Sequence, residues 1–349
     1  MKKTLVAIAA LAATGAFAQS TVTLSGNLDF AGVKASGTQI GSNGTTFTTG
    51  GGTSSTSVIN LDAVEDLGAG TKVKVHYGLD PRTLANDSLG NTPVSTATTT
   101  GVSGTTGTTK VATVNTTTGL ARDEVYVGIA SNYGEVKLGA PNSIGLNVFQ
   151  AASPLGTGVG SGYAPNAGVF TNSVVNTRYN RSARFDTAPV MGFTASALYA
   201  PGNDTPEVDP KVAVQIPNAR KTTELGLKYA NGPLNVAIAH IKQGAQTNKT
   251  GWYSGAYTDG LASTSATVFG ANYNIGNTTA YFGYNTGNRL APVSTAATGT
   301  PDGTAVKSKG YRYAVKQTVG QIDLIAQYST QTAFGPDVLN QATGADAKA

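Results

Sequence analysis

Residues 21–30 read TVTLSGNLDF and alternate strictly between two faces. One face carries the apolar side chains, which are Val22, Leu24, Leu28 and Phe30. The other face carries hydroxyl, amide and acidic side chains. A period of two over ten residues predicts a β-strand, because successive side chains of a strand point to opposite sides. Ten residues is also about the length of a tilted strand that crosses a membrane.

The same alternation recurs along the chain. Further apolar stripes lie within residues 73–77, 125–129, 193–199, 223–229, 234–238, 267–273, 311–315 and 322–328. Their aromatic residues lie mostly near strand ends and predict interfacial girdles. About thirteen strands can be identified in this way. We therefore predict an all-β protein.

Short and long connections alternate between these strands. Short turns are predicted near residues 66–70, 131–134, 188–192, 231–233, 274–277 and 318–320. Long polar stretches cover residues 34–55, 81–121, 140–177, 201–218, 243–262 and 286–305. A soluble sandwich has no reason to alternate in this way, whereas a transmembrane β-barrel has short periplasmic turns and longer outer loops. The connections therefore predict an antiparallel membrane barrel.

The amino terminus has the three parts of a secretory signal peptide. Lys2 and Lys3 precede an apolar run over residues 4–13, and Ala16-Phe17-Ala18 is a small-x-small site before Gln19. This pattern predicts a signal peptide over residues 1–18, cleaved between Ala18 and Gln19. No apolar run of 18 or more residues follows. The remaining chain is therefore expected to be a soluble exported protein or a membrane barrel over residues 19–349.

Composition excludes several classes of function. Only 12% of the 349 residues are charged and the net charge is +5, which is too small an excess for a nucleic-acid binder. With no cysteine and two histidines, disulfides and thiolate or histidine-rich metal sites are not expected. Residues 156–162, GTGVGSG, echo a nucleotide-binding loop, but no helix pattern follows them. Without a Gly-x-Ser-x-Gly elbow either, we expect no enzyme, no cofactor and no metal.

Several motifs resemble the general porins of β-proteobacteria, the neisserial and Burkholderia-type trimeric porins of Gram-negative bacteria. They are STVTLSG at 20–26, VEDLGAG at 64–70, YVGI at 126–129, YGEVKLG at 133–139 and RYNRSARFD at 178–186. The resemblance implies a barrel of 16 strands in the outer membrane, with the third loop folded into the lumen. It also implies a homotrimer, in contact with outer-membrane lipid and lipopolysaccharide.

Three features depart from that family. The chain ends GADAKA at 344–349, without a terminal Phe, and no closing strand can be identified. Ala140 stands where the family often has Arg, and the third loop lacks a Pro-Glu-Phe-Gly-Gly element. We therefore expect the closing strand to be missing, either because the sequence is truncated or because the barrel closes differently.

Basic side chains on the predicted polar faces are the candidates for lining the pore. Residues 140–177 carry no charge, so any ion selectivity is expected from the wall. The candidates are Lys72, Lys74, Lys137, Arg178, Arg184 and Lys228, and parity places Arg178 and Arg184 on one face of the strand that follows the third loop. Rings of Lys and Arg favour anions, and we predict a mild anion preference. Alternatively, Arg178 and Arg184 solvate a strand end or pair with Asp62, Glu124 or Asp186.

The predicted function is passive diffusion of small hydrophilic solutes and ions through a water-filled channel. The alternative is an exported Thr/Gly-rich adhesin or surface β-protein without a pore. It is suggested by the low-complexity repeats at residues 98–101, 105–107 and 116–119.

Overall fold

The structure is a computed structural model. It describes residues 20–35, 44–49, 57–79, 122–158, 161, 175–202, 220–245, 262–290, 305–334 and 345–348. The predicted signal peptide, its cleavage site and the Thr/Gly-rich repeats lie outside the described residues.

The described part of the chain contains sixteen strands and one helix. They are β1 (Thr21–Asn27), β2 (Phe30–Ala35), β3 (Gly44–Thr49), β4 (Val58–Gly68), β5 (Thr71–Leu79), β6 (Arg122–Ser131), β7 (Gly134–Ala140), α1 (Ile144–Ala151), β8 (Ser182–Thr187), β9 (Phe193–Ala200), β10 (Thr222–Asn231), β11 (Leu234–Gln243), β12 (Thr264–Ile275), β13 (Thr278–Leu290), β14 (Ala305–Val319), β15 (Ile322–Phe334) and β16 (Ala345–Lys348).

Fourteen strands form one antiparallel sheet in the order β1, β4 and then β5 to β16. The strands β2 and β3 form a separate hairpin. Beyond β1, each strand of the large sheet pairs with the next one in the chain, as in an up-and-down barrel. The prediction of an all-β antiparallel fold is therefore confirmed.

The tail of the chain holds a strand that its residue pattern does not reveal. The four residues of β16 pair with β15 between Thr330 and Ala333. Their sequence, ADAK, is too short and too polar to show a period of two. Its pairing with β15 defines β16 as a strand. With four residues, β16 is shorter than the roughly ten residues of a membrane-crossing strand.

The alternation of connections is confirmed. Short turns join β4 to β5, β6 to β7, β8 to β9, β10 to β11, β12 to β13 and β14 to β15. In the first of them, the Asp66 carboxylate accepts a hydrogen bond from the Gly68 amide at 2.9 Å. Gly68, Ala69 and Gly70 all have positive φ angles, which suits the glycine-rich VEDLGAG motif. The strand ends that the long connections join lie at the other end of the sheet.

The two faces of the sheet differ as the alternation predicts. The face opposite α1, called here the outward face, exposes large apolar side chains such as Leu24, Leu225 and Ile129. Phe193 and Tyr229 pack together on it beside short turns, with ring centroids 4.7 Å apart. Not every aromatic residue lies near a strand end, since Tyr284 is in the middle of β13. In the described residues, no helix is long and apolar enough to span a membrane.

Candidate functional site

The connection between β7 and β8 folds onto the inner face of the sheet through helix α1. The helix buries Ile144, Val148 and Phe149, and their spacing places them on one side. The inner face of β9, β11 and β12 meets them with small or aliphatic side chains, which are Leu198, Ala200, Ala237, Ala239, Ile241, Ala266 and Val268. The third loop thus folds inward as predicted, but as an apolar helix rather than the polar stretch expected for residues 140–177.

Ser143 caps the amino terminus of α1. Its hydroxyl accepts a hydrogen bond from the Leu146 amide at 2.9 Å and donates one to the Asn176 carbonyl at 2.5 Å. A serine cap of this kind satisfies an amide that has no partner inside the helix. The second bond joins the two ends of the connection.

Two glycines of the wall allow the helix to approach closely. A Cβ at Gly226 would collide with the Ile144 side chain, and one at Gly270 would collide with the Val148 carbonyl oxygen. Because the second obstacle is backbone, no rotamer change relieves it. These two positions therefore need glycine for α1 to lie flat against the wall.

Glu224 fastens the start of α1 to strand β10. Its carboxylate is fully buried and accepts hydrogen bonds from the amides of Ile144 at 2.6 Å and Gly145 at 3.1 Å. It also accepts one from the Tyr179 hydroxyl at 2.9 Å. A negative charge at a helix amino terminus is stabilised by the free amides and the helix dipole. Burial, together with the neighbouring carboxylate, raises the pKa of the Tyr179 hydroxyl well above its usual value.

Arg312 contacts the other end of the helix from strand β14. Its guanidinium lies 4.3 Å from the centroid of the Phe149 ring and donates to the Ser329 hydroxyl at 3.1 Å. It also donates to the Ser161 carbonyl oxygen. The stacking of Arg on an aromatic face is a cation–π contact, which is stronger where water is excluded. Arg312 therefore fixes both the helix and the segment that follows it.

The two predicted arginines bind the third loop. Arg184 donates to the Asn142 carbonyl at 2.6 Å, to the Asn147 side chain at 2.7 Å, and to Asp186 at 2.9 and 3.0 Å. Arg178 donates to the Asn142 side chain at 3.0 Å and forms an ion pair with Asp123. Arg184 thus pairs with Asp186, which is one of the alternatives that the sequence offered. Arg178 also pairs with an acid, but this acid is Asp123, which the sequence did not suggest.

Arg178 also lies in a different element from the one predicted. Parity placed Arg178 and Arg184 on one continuous strand, but β8 begins only at Ser182. Arg181 has a φ of 55°, which breaks the extended backbone before the strand. Arg178 instead forms an isolated bridge with Asn142 across the loop.

The predicted lysines of β5 and β7 lie on the inner face and are paired with acids. Lys74 lies 3.3 Å from Glu135, and Lys137 lies 3.4 Å from Asp186. At the short-turn end, Lys72 lies 3.8 Å from Asp66. The pair of Lys72 is about half exposed, so solvent screens it more than the two inner pairs.

Lys228 differs from the other candidates. It is exposed, and no acid pairs with it among the described residues. With the α1 residues Asn147 and Gln150, it lines a cavity of about 570 Å³ between the helix and the wall. Further side chains of this cavity are Arg184, Asp186, Thr194, Ser196 and Asn272. Lys228 therefore supplies a positive charge beside α1 that forms no ion pair within the described part of the chain.

The two histidines lie on opposite faces of the sheet. The Nδ1 atom of His76 lies 2.6 Å from the Asp62 carboxylate, and its ring stacks on Tyr126 with centroids 5.4 Å apart. His240 is on the outward face beside the Thr267 hydroxyl. By contrast, the sequence did not reveal the roles of Glu224 and Arg312. Parity places both on the inner face, but their partners lie far away along the chain.

The chain was compared with known families and proteins. A family model described as Gram-negative porin matches residues 4–349. An outer membrane porin protein of Bordetella pertussis is 28% identical over 130 residues, which are 36% of this chain and 33% of that protein. The match therefore spans about a third of the length of this curated relative.

Solved structures share the fold. An anion-selective porin from Comamonas acidovorans superposes with a TM-score of 0.56 at 18% identity, covering 90% of this chain and 80% of that chain. The trimer form of OmpT, an outer membrane protein of Vibrio cholerae, superposes with a TM-score of 0.53 at 15% identity, covering 94% and 81%. At 18% and 15% sequence identity, the structural similarity shows a shared fold and nothing about function.

Proposed function

Because the chain belongs to the Gram-negative porin family, we propose that it forms a water-filled channel in the outer membrane. Small hydrophilic solutes and ions would diffuse through it passively. An aqueous path removes the cost of transferring polar groups into hydrocarbon, which otherwise keeps such solutes out. No chemical step is needed, and we expect neither catalysis nor a cofactor.

The observation that carries this proposal is the contrast between the two faces of the sheet. The outward face exposes large apolar side chains along the described strands, as contact with lipid requires. The inner face carries ion pairs on β5–β8 and supports an inward-folded helix on β9–β12. A polar interior that is narrowed by one fixed helix is the geometry of a size-limited pore.

The third loop would set the narrowest part of the path. Glu224, Ser143 and Arg312 hold α1 and its flanking residues against the wall. Solutes would pass on the free side of the helix, beside the cavity lined by Lys228 and Arg184. The size limit would therefore depend on how firmly the helix is attached.

We further propose a mild preference for anions. Lys228 faces this region without an ion pair among the described residues, whereas Glu135 and Asp186 offset two of the three charges of Lys74, Lys137 and Arg184. A net positive charge beside a constriction biases the local ion concentration toward anions. The name of the structurally similar Comamonas porin points in the same direction.

A homotrimer in contact with lipid and lipopolysaccharide is our proposal for the assembled state. It is supported by family membership and by the trimeric form of the similar Vibrio protein. Removal of residues 1–18 during export to the outer membrane is part of the same proposal.

A planar lipid bilayer tests the function directly. Residues 19–349, refolded in detergent, would be added to one side under a tenfold KCl gradient. We expect stepwise increases in conductance and a reversal potential of the sign that chloride permeation produces. A cation-type reversal potential would contradict the anion preference but not the channel. If a folded, β-rich sample gives no steps, the channel is wrong.

The adhesin alternative makes the opposite predictions. An adhesin without a pore should remain soluble without detergent and should not conduct. Liposomes offer a second comparison, since a porin releases entrapped sugars below its size limit and an adhesin releases none.

A further inference from the structure

Four side-chain amides line the cavity between α1 and the wall. Asn147 and Gln150 belong to α1, Asn235 to β11 and Asn272 to β12. We call these four residues the amide patch. Asn235 pairs with Asn272, and Asn272 pairs with Tyr281 of β13, so these three side chains form one row on the inner face. The cavity has a volume of about 570 Å³, which is enough for a small solute.

A second cavity continues from the amide patch toward the short turns. It has a volume of about 650 Å³ and shares Asn235 and Asn272 with the first. Its other polar side chains are again amides, Asn231 at the end of β10 and Asn274 near the end of β12. Amide side chains therefore extend from α1 to the short-turn end of the sheet.

The amide group of Asn235 has no hydrogen bond to the described part of the protein. Its Oδ1 atom is buried and receives no donor there. Buried acceptors of this kind are rare in folded proteins, and each calls for a partner. Because no bond holds the amide, rotation about χ2 can turn either its oxygen or its NH2 group toward the cavity. Asn272 differs, since its Nδ2 group donates to the Ala151 carbonyl at 2.9 Å.

Lys228 lies diagonally across from Asn235 on the neighbouring strand. The register places Lys228 opposite Ala237, which is two residues along β11 from Asn235. Diagonal neighbours on one face of a sheet are roughly 7–8 Å apart, a distance that one sugar ring with its hydroxyl groups spans. Within the described residues the Lys228 ammonium forms no ion pair, so its hydrogens are available to a solute.

The other charged groups of the cavity are already bonded to the protein. Asp186 accepts hydrogen bonds from Arg184 at 2.9 Å and from the Ser196 hydroxyl at 2.6 Å. It also lies 3.4 Å from the Lys137 ammonium. Arg184 in turn donates to the Asn147 side chain at 2.7 Å. A solute in this cavity therefore meets a lysine and neutral amides rather than a free acid, which makes the cavity unsuited to amines and metal cations.

We propose that the amide patch and Lys228 bind a small polyhydroxylated solute of the sugar class. This inference rests on the proposed function, because a solute reaches the inner face only through the channel. A sugar hydroxyl both donates and accepts hydrogen bonds, so the hydroxyls of one ring can satisfy Asn235 and Lys228 together. Chloride and carboxylates offer acceptors only and leave the Asn235 oxygen without a donor. The unbonded amide therefore selects a solute that carries donors as well as acceptors.

Equilibrium binding to the protein refolded in detergent tests this inference. Glucose, gluconate, acetate and triethylene glycol dimethyl ether would each be titrated and followed by saturation-transfer NMR. Acetate carries a charge without hydroxyls, and the ether resembles glucose in mass but has no hydrogen-bond donor. Asn235→Leu removes the unbonded amide, and the control Asn60→Leu makes the same change on β4, outside the cavity. Lys228→Gln removes the charge.

We expect saturable binding of glucose and gluconate, and none of acetate or the ether. Asn235→Leu should weaken glucose binding roughly two- to tenfold, since hydrogen bonds between neutral groups are lost. Asn60→Leu should bind glucose like the unaltered protein. Lys228→Gln should weaken the binding of gluconate more than that of glucose, because only gluconate has a charge for the ammonium. Asn235→Leu should not lower the unfolding temperature, because its amide has no bond within the described protein.

Several outcomes would overturn the inference. One is the absence of saturable glucose binding, and another is an equal loss in Asn60→Leu and Asn235→Leu. A lower unfolding temperature of Asn235→Leu would contradict an amide without a bond. Acetate that binds as tightly as gluconate would make the cavity a site for anions only.

Bilayer conductance of the unaltered protein separates this inference from the channel. A protein that conducts but binds no glucose contradicts the sugar site only. A protein that binds glucose but gives no conductance steps contradicts the channel only.

Discussion

One row of paired residues crosses two very different parts of the inner wall. It runs from Lys74 on β5 through Gly128, Lys137, Arg184, Leu198 and Glu224 to Ile241 and Ala266 on β12. On β5–β8, which we call the charged wall, the row consists mainly of cations paired with acids. On β9–β12, the helix-bearing wall, it consists of small and aliphatic side chains beneath α1.

The comparison shows that two properties of a strand act separately. The alternation of side chains decides which residues face inward, and the chemical type of those side chains decides what packs on them. Apolar inward residues exclude water and give the helix a surface on which to pack. The lysines of the charged wall instead pair with Glu135 and Asp186 and keep part of their side-chain surface exposed to water. Glu224 is the exception on the helix-bearing wall, and its buried charge is stabilised by the helix itself.

The largest expected effect comes from Glu224→Leu. The substitution leaves the amides of Ile144 and Gly145 and the Tyr179 hydroxyl without their buried acceptor, at about 1–3 kcal/mol for each group. We expect a lower unfolding temperature in detergent and a larger, noisier single-channel conductance, because α1 leaves the wall. Glu135→Leu, on the charged wall, should change the conductance much less. Equal changes in both variants would contradict the difference between the walls.

Gly270→Ala tests the close approach of the helix without altering any charge. The added Cβ would collide with the Val148 carbonyl oxygen, and such overpacking costs about 1–3 kcal/mol. The expected result is a lower midpoint of thermal unfolding, measured by circular dichroism. Gly244→Ala is the control, since its Cβ would lie 3.6 Å from the nearest atom. A similar loss in both variants would contradict the close approach of the helix as the cause of the cost.

Ion selectivity should depend on the cation beside the cavity rather than on the paired ones. Lys228→Gln removes that positive charge, and we expect the anion-to-cation permeability ratio to fall by roughly two- to threefold. K74Q/E135Q removes a cation and an acid together and should leave the reversal potential nearly unchanged. Measurements under a KCl gradient distinguish the two. If K74Q/E135Q changes the reversal potential more than Lys228→Gln does, the charged wall determines the selectivity.

The smallest effects are expected within the charged wall itself. A double-mutant cycle on Lys74 and Glu135 should give a coupling of about 0.5–1 kcal/mol, because both side chains are partly shielded from water. The half-exposed pair of Lys72 and Asp66 should couple by about 0–0.5 kcal/mol. Unfolding in detergent at low and high salt provides the measurement. Equal couplings, or a larger coupling for Lys72 and Asp66, would show that exposure does not govern them.

The faces and connections could be predicted because they depend on neighbouring residues. The stripe at 193–199 lies on the outward face, as its alternation indicates. The prediction of polar inward lysines at 72 and 74 followed from the same parity, and both lie on the inner face of β5. The long third connection was also expected to fold inward. The first two of these features follow from local patterns and from the period of a strand, and the third from the family resemblance.

The attachment of that connection could not be predicted because it depends on residues far apart in the chain. Glu224 and Ile144 are separated by 80 positions. Helix α1 has only eight residues, which is too short to be stable without its wall, so no local pattern announces it. Arg178 was assigned to a strand because parity continues through a kink, whereas the positive φ of Arg181 ends the strand.

The sheet order also implies a sequence of events during assembly. From β4 onward each strand pairs with the next one made, so hairpins can be added one at a time with short loop closures. Helix α1 is different, because it precedes β8 but packs on β11 and β12. Its binding surface does not exist until several later hairpins have joined the sheet. The interior therefore remains open while the wall grows, and docking of the helix is a late step.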